Sequence, residues 1–434
     1  MKKTVLLRGP VLTRSGYGEQ ARFALRALRS REDMFDIFIH PLQWGQTGWL
    51  SEVDEERQWI DQNIEKTISY VQNGGTFDIS VQVTIPNEFE KLAATNIGYT
   101  AGIETTKCAP EWLDTANRTV DKIIFVSTHS KNTYDNSAHI IAVNSQGQGK
   151  VIEDQNDPLL TDASFQKQEL RSTVETHAVN YPVKKYEDLN ALDFDLTTDY
   201  NFVCVAQFGP RKNLQNTINW FVEEFHDDAD AGLIVKTNVS KNSLIDRETC
   251  EGRLRAALAS YPDKKCKVYL LHGDMTDKEM HEIYLHDKVF AALSLTHGEG
   301  FGLPLFEAAY MGVPVVAPGW SGQMDFLCDE DGKENFYNVA FDLNPVQEAA
   351  VWKGVILKNS MWAYARENSA KEKMRECYND AKEGKLEEYC QHATALAERF
   401  DEDVMYKQFI DAMGVETSFD VESWLSELDI EEME

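Results

Sequence analysis

The sequence has no long apolar run, and no stretch reaches the length of a membrane span, so no stable membrane insertion is expected. Met1-Lys2-Lys3 passes directly into Thr4-Val5-Leu6-Leu7, which Gly9-Pro10 cuts off before it is long enough for a secretory leader. A cytoplasmic location is the expectation. Cysteine is sparse, seven in 434 residues, and no Cys-x-x-Cys spacing occurs. Neither a disulfide framework nor a thiolate zinc site is signalled, and Cys108, Cys204, Cys250, Cys266, Cys328, Cys377 and Cys390 read as buried or half-buried free thiols. Positive charge is also short, because 43 Lys plus Arg against 72 Asp plus Glu leave a net charge of -29. Averaged over the surface, that field repels polyanions and anionic membranes, which disfavours an extended DNA track but allows a local basic cleft.

What is present is a long alternation of strand-like and helix-like segments. At 434 residues the chain exceeds the usual limit of a single core, so two domains are expected. Thr4–Leu7 reads as a strand, Gly16-Tyr17-Gly18 as a turn, and Glu19–Leu28 as a helix with Ala21, Ala24, Leu25 and Leu28 on one face. Apolar runs follow at Phe35–Ile39, Phe77–Val83 and Lys122–Val126. The pattern dissolves between about 145 and 175 and resumes at Asn201–Ala206. Further strands are expected at Gly232–Val235, Val268–Leu271, Val289–Leu293 and Val313–Ala317, with helical periodicity over about 365–411. The fold class is therefore α/β, and parallel sheets are expected. The divisions expected are 1–183, a linker over 184–200, 201–365, helices over 366–415 and an acidic tail over 416–434.

Two segments carry chemistry. In His297-Gly298-Glu299-Gly300-Phe301-Gly302-Leu303-Pro304, three glycines precede a proline placed where a first helical turn starts, and Gly312 stops the short helix. Free amides at such a helix start attract phosphate oxygens, and the helix dipole adds to the attraction. Glu299 and Glu307 frame the turn, and carboxylates suit sugar or ribose hydroxyls on either side of a diphosphate. A solvated glutamate beside a common glycine turn is the competing reading. The second segment, Gln207–Leu214, follows the strand 201–206 and offers Arg211 and Lys212 where open α/β sheets bind ligands. Lys236, ending the next strand, either adds positive charge or is a solvated surface base.

Together, Gln207–Leu214 and Glu299–Glu307 resemble the donor site of the retaining family 4 glycosyltransferases. Phe125–Asn132, Val179–Val183, Val268–Leu295 and Val313–Gly319 extend the resemblance over most of residues 1–411. It implies a GT-B fold of two facing Rossmann-like domains, with a C-terminal helix crossing back. It also implies transfer from a UDP- or GDP-sugar with retention, without an obligatory metal or any other cofactor. In that reading Glu307 holds the donor ribose and Glu299 the transferred sugar. Amides around Phe301, Gly302 and Leu303 contact sugar or diphosphate, Arg211 and Lys212 neutralise the leaving group, and the Gly16-Tyr17-Gly18 loop closes from the opposite domain. Gln207 stands where many relatives carry arginine.

Other candidates stay open. Glu104 contacts substrate or caps a helix, His129 and His297 are site or structural histidines, and Trp362 and Tyr364 anchor the crossing helix or pack in a core. The acceptor is a glycan, protein, metabolite or modified nucleic acid. A sugar phosphorylase, a nucleotide-sugar epimerase and an inactive nucleotide-sugar-binding or assembly protein are the competing functions.

Overall fold

The computed structural model describes residues 2–152 and 156–415, so the acidic tail expected over 416–434 lies outside the described residues. Among the described residues the chain builds two six-stranded sheets. The first runs Phe35–Pro41, Lys3–Gly9, Ile79–Val83, Thr95–Thr100, Lys122–Phe125, Glu175–Ala178, and every neighbouring pair is parallel. Ile79–Val83 is buried along its whole length, as a strand covered on both faces must be. Its polar members are satisfied by the next strand and the loop leading to it: Ser80 Oγ bonds Asn96 Oδ1 at 2.9 Å, and Gln82 Nε2 donates to Glu90 O at 2.6 Å.

The second sheet runs Lys267–Leu271, Ala231–Lys236, Tyr200–Val205, Val289–Leu293, Val315–Pro318, Tyr337–Val339, again all parallel. Chain order reverses between Tyr200–Val205 and Val289–Leu293, which opens a crevice beyond their carboxyl ends. The loops leaving these two strands carry Arg211-Lys212 and Gly298–Gly302. Pro314 precedes its strand, where a missing N–H costs the ladder nothing.

The halves share one core. Buried apolar side chains run from Val5 and Val81 through Tyr181 to Phe301 and Phe306. The helix Glu402–Met413 packs on the helix Gly16–Arg29 of the first half, and Phe409 sits with ring centroids 5.5 Å from Phe23 and 5.0 Å from Tyr99. Polar ties cross as well. Asp325 Oδ2 accepts from Thr128 N and Asn180 Nδ2, both at 2.8 Å. Lys184 Nζ bridges Glu19 at 2.9 Å and Asp277 at 2.6 Å.

Three expectations need correction. Gly16-Tyr17-Gly18 is not a free loop but the first turn of the helix Gly16–Arg29, capped by the Ser15 hydroxyl, which accepts from Gly18 N. The stretch 145–175, which lacks periodicity, contributes Gly149–Val151 and Gln166–Leu170 to an antiparallel sheet around His139–Val143; exposed on both sides, these polar strands have no apolar alternation to reveal them. Of the two readings of Trp362 and Tyr364, the helix anchor gives way to core packing: they lie on the strand Met361–Ala365, paired with Phe341–Pro345, where Trp362 is fully buried.

Candidate functional site

Buried aliphatic strands end in the crevice, and the chain turns there on side chains that only polar contacts can hold. Gly302, at φ +103°, adopts the left-handed conformation that lets the helix Leu303–Tyr310 start, with Pro304 in its first turn. The amides of Phe301, Gly302 and Leu303 have no acceptor among the described residues. They are the open donors of a helix start.

Around this turn the fold gathers Arg211, Lys212 and Glu299 into one cluster. Lys212 Nζ lies 2.6 Å from Glu299 Oε1 and Arg211 Nη1 3.0 Å from Oε2, while the Glu299 amide donates to Ser321 Oγ at 2.9 Å. Burial works against a charged Glu299, but Lys212 and Arg211 outweigh it and hold the carboxyl down at about 2. Arg211 also donates to Gly298 O at 2.6 Å and pairs with Glu104 at 3.1 Å, so most of its guanidinium is committed. Lys212, with one bond to Glu299, keeps two N–H groups for a ligand. Burial lowers its pKa, and Glu299 opposes that shift.

Glu104 comes from the opposite half, and burial pushes its carboxyl up against the pull of Arg211. Tyr17 reaches the same region: its hydroxyl bonds Thr100 Oγ1 at 2.8 Å, and its ring stacks on Trp44 at 4.0 Å. Contact between the halves is tight. A Cβ at Gly298 would lie 2.3 Å from Glu104 O, and one at Gly300 would lie 2.3 Å from Ala101 O. Gly18 is needed for local reasons, since a Cβ there would sit 2.0 Å from Thr13 O, whereas Gly16 faces open space.

Glu307, one turn into the helix, is half-buried, and its carboxylate has no hydrogen-bond partner among the described residues. Burial pushes its carboxyl up to about 8, against the pull of Lys184 and with repulsion from Asp277 and Glu19. Between pH 4.5 and about 8 the folded state therefore keeps a proton that the unfolded chain releases, so this group's contribution to stability falls as pH rises. Glu307→Gln is expected to flatten that part of the pH–stability curve. Denaturant melts should show a gain on the order of 2 kcal/mol at pH 8, allowing for solvent at its exposed edge, and almost none at pH 5.

The side chains of the remaining candidates lie outside this cluster, although the His297 amide donates to Arg211 O at 2.8 Å. Lys236 turns its ammonium to Gly273 O. The Phe301 side chain is core, 3% exposed and packed against Tyr181, Phe306 and Phe326. Phe301→Leu should thus cost about 1 kcal/mol in thermal melts and leave ligand affinity little changed. His297 donates to or accepts from its neighbours as a structural ring: Nδ1 bonds Ala363 O at 2.9 Å, with Trp362 and Tyr364 packed on it. His129 lies edge-on to Trp320 at 4.9 Å, and burial lowers it to about 4. Gln207 is exposed. Sequence reasoning missed Ser321, Lys184 and Asp325, whose partners lie far away along the chain.

Residues 259–339 match the family of glycosyl transferases group 1. The serotype-specific mannosyltransferase WbdA of Escherichia coli is 30% identical over 116 residues, which are 27% of this chain and 13% of WbdA. The chain thus spans a small part of the length of the curated relatives it matches. Among solved structures, Anabaena HepE in complex with UDP and glucose superimposes with a TM-score of 0.54 at 11% identity, covering 95% of this chain and 99% of that one. Sucrose-phosphate synthase from Thermosynechococcus elongatus gives 0.56 at 11% identity, covering 94% and 98%. These likenesses establish the GT-B arrangement of two facing α/β halves.

Proposed function

We propose that this chain is a retaining glycosyltransferase of the family 4 type, moving a sugar from a UDP- or GDP-sugar to an acceptor hydroxyl. The observation that carries the proposal is the cluster of Lys212, Arg211 and Glu299 beside three open amides at the crevice of the second sheet. A nucleotide-sugar donor is supported by the group 1 match and by the UDP held in the HepE structure.

In this reading the leaving diphosphate lies against the amides of Phe301–Leu303 and the two free N–H groups of Lys212. These fixed positive groups stabilise charge as it develops, so no divalent ion is required at the donor site. Glu299, held ionised, accepts from hydroxyls of the transferred sugar, and Glu307 holds the ribose. Arg211 fixes Glu299 and, through Glu104, links the two halves. The acceptor oxygen approaches on the face the diphosphate leaves, and a phosphate oxygen takes its proton. We place the reaction in the cytoplasm; no helix among the described residues is long and apolar enough to cross a membrane.

The test is a donor-by-acceptor panel with mass detection, without added divalent ion, followed by NMR of the product anomer. Acceptor-dependent release of nucleoside diphosphate with retained configuration is expected. Phosphate-dependent cleavage, epimerisation of the donor, or binding without turnover across the panel would replace the proposal with a phosphorylase, an epimerase or a binding protein.

A further inference from the structure

Past the carboxyl ends of the strands Ala231–Lys236 and Lys267–Leu271 lies a second polar cluster that the proposed transfer does not use. Asp246, in the first turn of the helix Leu244–Leu258, accepts four consecutive amides: Val239 N on Oδ1 at 2.8 Å, and Ser240, Lys241 and Asn242 N on Oδ2 at 3.1, 3.1 and 2.9 Å. Those bonds explain why a carboxylate is tolerated there, and only one of the four amides falls on Oδ1. Cys250, one helical turn on and fully buried, turns its sulfur to Oδ1 at 3.9 Å. His272, just past the strand Lys267–Leu271, points Nε2 at Oδ2 from 3.8 Å.

The His272 side chain is only 4% exposed, and its Nε2 has no hydrogen-bond partner. A gap of 3.8 Å is too long for a direct N–H···O bond. The donor atoms of all three residues lie within 4.8 Å of one another. Around a tetrahedral zinc ion, with bonds of about 2.0–2.3 Å, neighbouring donors sit roughly 3.3–3.8 Å apart. A contraction of under about 1 Å converts one arrangement into the other. From this geometry we infer that Asp246, Cys250 and His272 form a binding site for a divalent transition metal, with zinc the best match to one sulfur, one nitrogen and one oxygen donor.

Binding balances simply. The Cys250 S–H bond breaks as the S–metal bond forms, the proton passes to solvent, and neutral His272 gives its Nε2 lone pair. Thiolate and carboxylate then neutralise a dication in a buried position. The ion ties the segment 237–246 to the loop Gly273–Met275. That loop receives Lys236 and, from the opposite half, Arg14. Three protein ligands leave the fourth tetrahedral position to water, and none of the three belongs to the donor cluster.

The full-length chain, stripped by chelator, is titrated with Co²⁺ as the spectroscopic probe and then with Zn²⁺. One Co²⁺ per chain with a thiolate-to-metal charge-transfer band is expected, and Zn²⁺ should raise the melting midpoint by several degrees. Cys390→Ser removes an exposed thiol and should leave both signals intact. Cys250→Ser should abolish the band, and His272→Gln, which keeps the thiol, should weaken affinity by about tenfold or more. A wild-type chain without the band overturns the inference, as does a band lost in Cys390→Ser and kept in Cys250→Ser. If Cys250→Ser fails to fold, wild-type affinity in His272→Gln overturns it equally.

Discussion

Lys212→Ala is expected to lower sugar transfer by about 10²–10³-fold with the fold retained, at some cost in thermal midpoint because buried Glu299 keeps only Arg211. Lys212 offers its two uncommitted N–H groups at the helix start, whereas Arg211 is largely occupied by Gly298 O, Glu299 and Glu104. The loss should appear in kcat, because the ammonium matters most when the diphosphate gains charge. Glu299→Ala should be comparably damaging. The two carboxylate contacts join these side chains into one unit, so the double variant should be far less impaired than the product of the singles. Steady-state kinetics on all three variants decides the matter, and near-wild-type turnover of Lys212→Ala removes it from the donor site.

Gly300→Ala should produce the second large effect through geometry alone. The new methyl would lie 2.3 Å from Ala101 O, a main-chain atom of the opposite half that cannot rotate away. The halves must separate by about 1 Å, and a misplacement of that size between reacting groups costs on the order of a hundredfold in rate. Circular dichroism should stay native while turnover falls by that factor. Wild-type turnover in this variant would show that the observed approach of the halves is not needed for the reaction.

The same two sites show how far sequence reading reaches. Strands such as Tyr200–Val205 and Val289–Leu293 are legible because strands of a doubly covered parallel sheet are apolar over most of their length. The helix after Gly302 is legible because glycines and Pro304 are local signals. Lys236 illustrates the limit: its place at a strand end resembles that of Arg211, yet its ammonium turns to Gly273 O. Cys250 is another case, since its partner Asp246 is one turn away but His272 arrives from a separate strand.

Periodicity and turn chemistry, both carried by neighbouring residues, were enough to determine an α/β chain with a glycine turn opening a helix at 298–304 and a cationic pair at 211–212. Tertiary structure alone decided that Glu299 is the partner of that pair, that Ala101 and Glu104 close over Gly298 and Gly300, and that Lys184 joins Glu19 to Asp277. Hydrogen bonds and ion pairs depend on distances of a few ångströms. Those distances follow from strand order and from the packing of Phe409 and Phe301 across the shared core, which no local pattern encodes.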